Sequence, residues 1–202
     1  MGWSDIPAKD RTRTLARADQ LGLSEAQLSS KEDLVVSQAG LTLDARRPGK
    51  LKPSKLTLKD AGDLVRYYGH PEATQSNRVA ALRQNERRAV LRAFNELERD
   101  REKDHNFQGR TLNHALTALQ RRSLRPNELR AEYVQQLDQI AGRVTGIIWF
   151  LPNIVIEPNA TLEFSGSGPH SLVANKITIK PGGRIVGNLA TVQISCNTLE
   201  VQ

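Results

Sequence analysis

Hydrophobic and polar positions change their period once along this chain. Before about residue 145, apolar residues recur at helical intervals of three and four. From Gly146 onward they alternate, with Pro, Asn and Gly clustered between the runs. In the first half, Ser24 with Gln27 makes a capping-box pattern ahead of EAQLSSKEDLVVSQAG, predicting a helix that ends on Gly40. Thr57 with Asp60 predicts the start of LKDAGDLVRYYG, where Leu58, Ala61, Leu64, Val65 and Tyr68 share a face and Gly69-His70-Pro71 stops the run. Between them GLTLDARRPGKLKPSKL reads as an exposed connection, near 40–56. Val79, Leu82, Val90, Phe94 and Leu97 predict the longest helix, from Ser76 to Asp104. Further helices are expected over Thr111–Arg122 and in NELRAEYVQQLDQIAG, opened by Pro126. Helices joined by short loops predict a small antiparallel bundle.

The second half repeats itself. NIVIEPNATLEF, from Asn153, returns as KITIKPGGRIVG from Lys176, with Ile154, Ile156, Pro158 and Leu162 matched by Ile177, Ile179, Pro181 and Ile185. Ile154, Ile156, Leu162 and Phe164 are expected to face a core, and Val155, Glu157, Thr161 and Glu163 to face away. A shorter third copy is read in VQISCNTLEV, which would stack Ile194 on Ile156 and Ile179 and make Cys196-Asn197 a third corner, after Pro158-Asn159 and Pro181-Gly182-Gly183. GSGPHS is read as an insertion bulging from the first copy. Repeats that bury little alone and more when stacked predict a short β-solenoid of two to three rungs; the alternative is an antiparallel β-meander of tight hairpins. The expected fold class is therefore α+β, with a basic helical region at 1–145 and a β-solenoid-like repeat domain at 146–202.

ITIKPGGRIVG resembles the rungs of bactofilins, the polymer-forming bacterial cytoskeletal proteins, and is similar to single turns of pectin-lyase-like proteins. The resemblance covers about a quarter of the chain, residues 153–202. Likeness to bactofilins implies a self-stacking, non-catalytic polymer with no nucleotide cofactor. Likeness to the pectin-lyase-like enzymes would require a groove of clustered acids, and only Glu157, Glu163 and Glu200 are available in this half.

Charge refines the picture. The chain carries 29 Lys+Arg against 22 Asp+Glu, but residues 144–202 hold three of each, so the excess of +7 belongs wholly to residues 1–143. Arg83, Arg87, Arg88 and Arg92, with Arg121, Arg122 and Arg125, form a candidate phosphate-binding surface that could meet nucleic acid without sequence preference. The competing reading is a solvated face whose arginines pair with neighbouring acids such as Glu86 and Glu96. No apolar run reaches the ~20 residues that span a bilayer, and GIIWFLP suggests at most contact with a membrane surface. No secretory leader is read at the start, and a cytoplasmic location, or one within an assembled particle, is expected.

Common catalytic motifs are absent from the sequence. GxxxxGK[ST], GxSxG and HExxH do not occur. Cys196 has no nearby histidine, and His70, His105, His114 and His170 are scattered, so neither a nucleophile nor a metal set is read. DHNFQGRTLNHA imitates a calcium loop but has Ala115 where the bidentate acid belongs. The expected function is non-enzymatic, without catalytic residues, metal or cofactor. The module is expected to self-associate or dock on another structural protein through an open end formed by Val192, Ile194, Leu199 and Val201. The alternative is nucleic-acid binding by the arginine face.

Overall fold

The computed structural model describes residues 2–47, 49–68, 129–166, 168–188 and 190–202, together with 85, 88–93, 96 and 115. Contacts divide the chain into two compact units, Met1–Thr57 with Val144–Gln202, and Leu58–Arg143.

The first unit holds helix α1 (Ala8–Gln20) and eight strands: β1 (Leu34–Val36), β2 (Leu41–Asp44), β3 (Ser54–Thr57), β4 (Thr145–Ile156), β5 (Thr161–Ser165), β6 (Pro169–Ile179), β7 (Arg184–Asn188) and β8 (Thr191–Val201). One five-stranded sheet runs β1-β4-β6-β8, with β3 also on β4, and a three-stranded sheet runs β2-β5-β7. Every pairing is parallel except β3 with β4.

Register explains the repeat. Ile154 pairs with Ile177 and Ile156 with Ile179, and Leu162 pairs with Ile185 in the other sheet. Side chains that share a face of a strand therefore lie in rows across each sheet. Val36, Leu43, Ile154, Ile156, Leu162, Phe164 and Ile177 are buried between the two sheets in one core. Each such side chain removed from water contributes roughly 1.5–3 kcal/mol. The corners are tight: Asn159 (φ 61) and Gly182 (φ 70) take left-handed backbone, and Asn159 N–H donates to Pro181 O at 3.0 Å.

This architecture overturns the expected one. The protein is mixed, with two largely parallel sheets and few described helices; an N-terminal bundle leading into a separate C-terminal β-solenoid is not what forms, and neither is an antiparallel meander. Residues 2–57 give one long helix and three strands that complete the same sheets. The Ser24 capping box is real, with Ser24 N–H donating to Gln27 Oε1 at 2.8 Å, but it caps a single 3-10 turn, Glu25–Gln27. Beyond it the β-branched pair Val35-Val36 enters the sheet, with Leu34 opposite Ile154 and Val36 opposite Ile156. Gly40, at φ 75, makes the turn into β2 rather than ending a helix. The stretch read as an exposed connection holds β2 and β3, and Leu43 is buried within it.

Four local readings also change. The third copy aligns at 22 residues: Leu199 lies opposite Ile177, Val201 opposite Ile179, and Ile194 opposite Leu172. Cys196 and Asn197 sit inside β8 rather than at a corner, and Pro169, His170 and Ser171 begin β6 rather than bulging from it. The GIIWFLP run lies in β4 and is buried on both faces: Trp149 points into the core, while Phe150 packs edge-on against Trp3 at 5.5 Å.

In the second unit, helices α2 (Ala61–Tyr68) and α3 (Ala131–Ala141) pack on each other through buried residues including Leu64, Tyr67, Tyr133 and Leu137. Asp60, not Thr57, caps α2: its Oδ1 accepts the Asp63 N–H at 2.7 Å, while Thr57 belongs to β3. Asp138 of α3 accepts the Ala61 N–H at 2.8 Å, tying the two helices together. Residues 85, 88–93 and 96 are helical, and Ala115 is buried. The remainder of the expected Ser76–Asp104 and Thr111–Arg122 helices, Pro126, and the DHNFQGRTLNHA loop except Ala115 lie outside the described residues.

Candidate assembly edge

The side-chain rows of the large sheet end differently from how they run. Ile154 and Ile177 are fully buried, yet Leu199 in the same row is 55% exposed. Ile156 is fully buried and Val201, two strands along, is 71% exposed; Leu172 is fully buried and Ile194 beside it is 40% exposed. Val192 and Cys196 remain partly covered by the core. Strand β8 thus continues the apolar interior pattern, and among the described residues no further strand pairs beyond it. The structure places Val192, Ile194, Leu199 and Val201 on that one strand.

The backbone of β8 is open on the same side. Among the described residues β8 pairs with β6 alone. Gln202 N–H donates to Ile179 O at 3.0 Å, so by strand alternation Val201 and Leu199 direct their N–H and C=O groups away from β6. Strand β7 is likewise last in the small sheet, and Val186, exposed there, was not singled out from the sequence. Its signal was the strict match of RIVG to TLEF at the 23-residue offset, which leaves Val186 facing outward beside Glu163.

The β8 position is fixed by polar side chains on its other surfaces. Leu151 and Ile154, three apart, are both fully buried, so side-chain alternation shifts by one at Pro152-Asn153, where proline supplies no ladder N–H. At this bend the amides chain across strands: Asn197 Nδ2 donates to Asn175 Oδ1 (3.0 Å), Asn175 Nδ2 to Asn153 Oδ1 (2.9 Å), and Asn153 Nδ2 to Asp33 Oδ1 (2.9 Å). Asn197 Nδ2 also reaches Asp10 O and Thr14 Oγ1 of α1, each at 2.9 Å. Outward-facing Lys176 pairs with Glu200 at 2.7 Å, and Lys180 with Glu157 at 2.9 Å. Partly exposed pairs of this kind add little stability, each at most about 1 kcal/mol.

Inside the core lies an uncharged polar pair. Trp149 Nε1–H donates to His170 Nδ1 at 3.2 Å, and the imidazole meets the Phe164 ring edge-on at 5.7 Å. His170 is fully buried and its Nε2 has no hydrogen-bond partner among the described residues. Burial pushes its pKa below the ordinary 6.5, against the opposing pull of the Asp44 carboxylate. The unfolded chain then takes up the proton first, so this contribution to stability is complete above about pH 6.5 and is lost as pH falls toward the folded-state pKa. The melting temperature should fall on acidification from about pH 7.5 to about 5.5, and less steeply in His170→Leu. Parallel slopes for the two proteins, measured by circular dichroism melts, would show that His170 is not the titrating group.

The other candidates offer less. Arg88 and Arg92 are exposed on the 88–93 helix, while Arg83, Arg87, Arg121, Arg122 and Arg125 lie outside the described residues, as do His70, His105 and His114. Burial raises the pKa of the Cys196 thiol, which disfavours the thiolate a nucleophile needs. A cavity of about 630 Å³ borders β1 and β2, lined by Asp33, Asp44, Lys50, Leu51 and Trp149 among others, but Asp33 and Asp44 are already bonded, to Asn153 and to the Arg46 N–H. No described group of three His, Cys, Asp or Glu is placed to hold a metal ion, and no described helix is long and apolar enough to cross a membrane. No family model, curated protein or solved structure matches the chain.

Proposed function

We propose that this chain is a non-enzymatic assembly module that associates with further copies of itself through the free edge of its large sheet. The observation that carries this reading is the contrast along single rows, from full burial at Ile154 and Ile177 to majority exposure at Leu199. Edge strands are ordinarily blunted with lysine, proline or inward-pointing charge. From Thr191 to Val201 the strand has no lysine, arginine or proline, and its one charge, Glu200, is held by Lys176 on the outward face. The edge at the other side of the sheet is defended differently: β1 is three residues long, and β3 already occupies Thr145–Ile148.

Light scattering across a wide concentration range is expected to show the wild-type mass rising above that of a monomer. Val201→Lys and Ile194→Lys should hold the protein monomeric while leaving the far-ultraviolet circular dichroism spectrum and cooperative unfolding intact. Wild-type protein that stays monomeric at every concentration would overturn the reading, as would association unaffected by both lysines.

A further inference from the structure

Resting on that reading, we infer that the edge joins two copies by antiparallel β8–β8 pairing about a two-fold axis passing between Cys196 and Asn197. The side-chain alternation of β8 sets the register. Val192 and Ile194 face inward before the bend, and Leu199 and Val201 face inward after it. Only a register that respects this shift keeps apolar side chains on one face of the joined sheet, because a one-residue slip sends each to the other face. Centring the pair on the Cys196–Asn197 bond does so. Val192 then lies opposite the second copy's Val201, and Ile194 opposite its Leu199, and the reverse pairs follow by symmetry.

Polar residues fall into place in the same register. Gln193 lies opposite Glu200 and Ser195 opposite Thr198, so the only charge on the strand never meets its like. The inward residues carry the edge-directed N–H and C=O groups, as Leu199 and Val201 do, so the apolar pairs are also the hydrogen-bonded ones. Strand β7 is self-complementary in the same sense about Val186: Ile185 would face Gly187, and Arg184 would face Asn188. A head-to-tail contact has no such match, since eleven residues of β8 would meet three of β1. Head-to-tail joining would also leave an edge open and grow into filaments, whereas the two-fold closes at two copies.

Disulfide trapping tests the register. Ser195 and Thr198 would form a non-hydrogen-bonded antiparallel pair with Cα atoms about 4.5 Å apart, inside the range a disulfide spans. In a Cys196→Ser background, one chain carries Ser195→Cys and a second carries Thr198→Cys. Mixed and oxidised, they should give a covalent dimer in high yield, each alone should give little, and the uncross-linked wild-type mass should level off at two copies. A mass that grows past two copies without mixed cross-links, still abolished by Val201→Lys, would overturn the two-fold and leave the assembly reading standing. A monomer at all concentrations would remove both.

Discussion

Trp149→Ala should lower the unfolding free energy by about 3–5 kcal/mol, the range for deleting a buried aromatic side chain from a core. Trp149 is 1% exposed and lies in the same row as fully buried Leu172, so its removal takes a large apolar surface out of the core. The substitution also strips His170 Nδ1 of its donor, leaving a fully buried imidazole with neither nitrogen bonded. An acceptor orphaned in this way adds about 1–3 kcal/mol of desolvation cost unless water enters the cavity. Denaturant unfolding followed by circular dichroism measures the change. Trp149→Phe keeps most of the ring volume and should recover more than half the loss. A Trp149→Ala protein within 1 kcal/mol of wild type, the scale of an exposed substitution, would mean the row is not packed as described.

Gly182→Val is expected to cost about 2–3 kcal/mol, by a different route. The backbone at Gly182 has φ +70, where a β-branched residue is strained whatever space surrounds it. Space is lacking too: a Cβ at Gly182 would overlap the side-chain oxygen of Asn159, the residue at the corresponding corner one strand earlier. The two corners are bonded, Asn159 N–H to Pro181 O, so neither withdraws without releasing the other. Asn159→Gly removes the obstructing side chain, and the double variant should recover the steric part of the loss but not the strain. Additive losses in a double-mutant cycle would show that the corners do not touch.

The corners were legible in the sequence because their cause is local. Pro158-Asn159 and Pro181-Gly182 lie between alternating runs, and the offset linking Ile154 with Ile177 is short enough to notice. The strands at 34–44 follow the same grammar, with Leu34, Val36, Leu41 and Leu43 on one face, but their partners lie 120 and 121 residues later. No nearby copy advertised them, and the Ser24–Gln27 cap argued for a helix that lasts one turn. Helix propensity lost there to a pairing that only the folded chain contains. Hydrophobic periodicity misaligns the third copy because it makes Cys196-Asn197 a corner. Its true register rests on an asparagine recurring at Asn153, Asn175 and Asn197, a polar signal that hydrophobic periodicity does not count. The edge residues themselves were legible, because an apolar alternation in the last repeat needs no knowledge of the partner.

The one antiparallel pairing among the described strands, β3 with β4, has a consequence for the chain path. Thr57 lies opposite Thr145, so everything from Leu58 to Arg143 leaves the sheet and returns to it at hairpin spacing. In chain-path terms a whole compact unit occupies the place of a β-turn. Closing a longer loop costs only slowly more entropy, so the strand pair tolerates a long intervening segment. Doubling the number of residues between Thr57 and Thr145 should therefore cost the β3–β4 pairing only about 0.6 kcal/mol in loop closure.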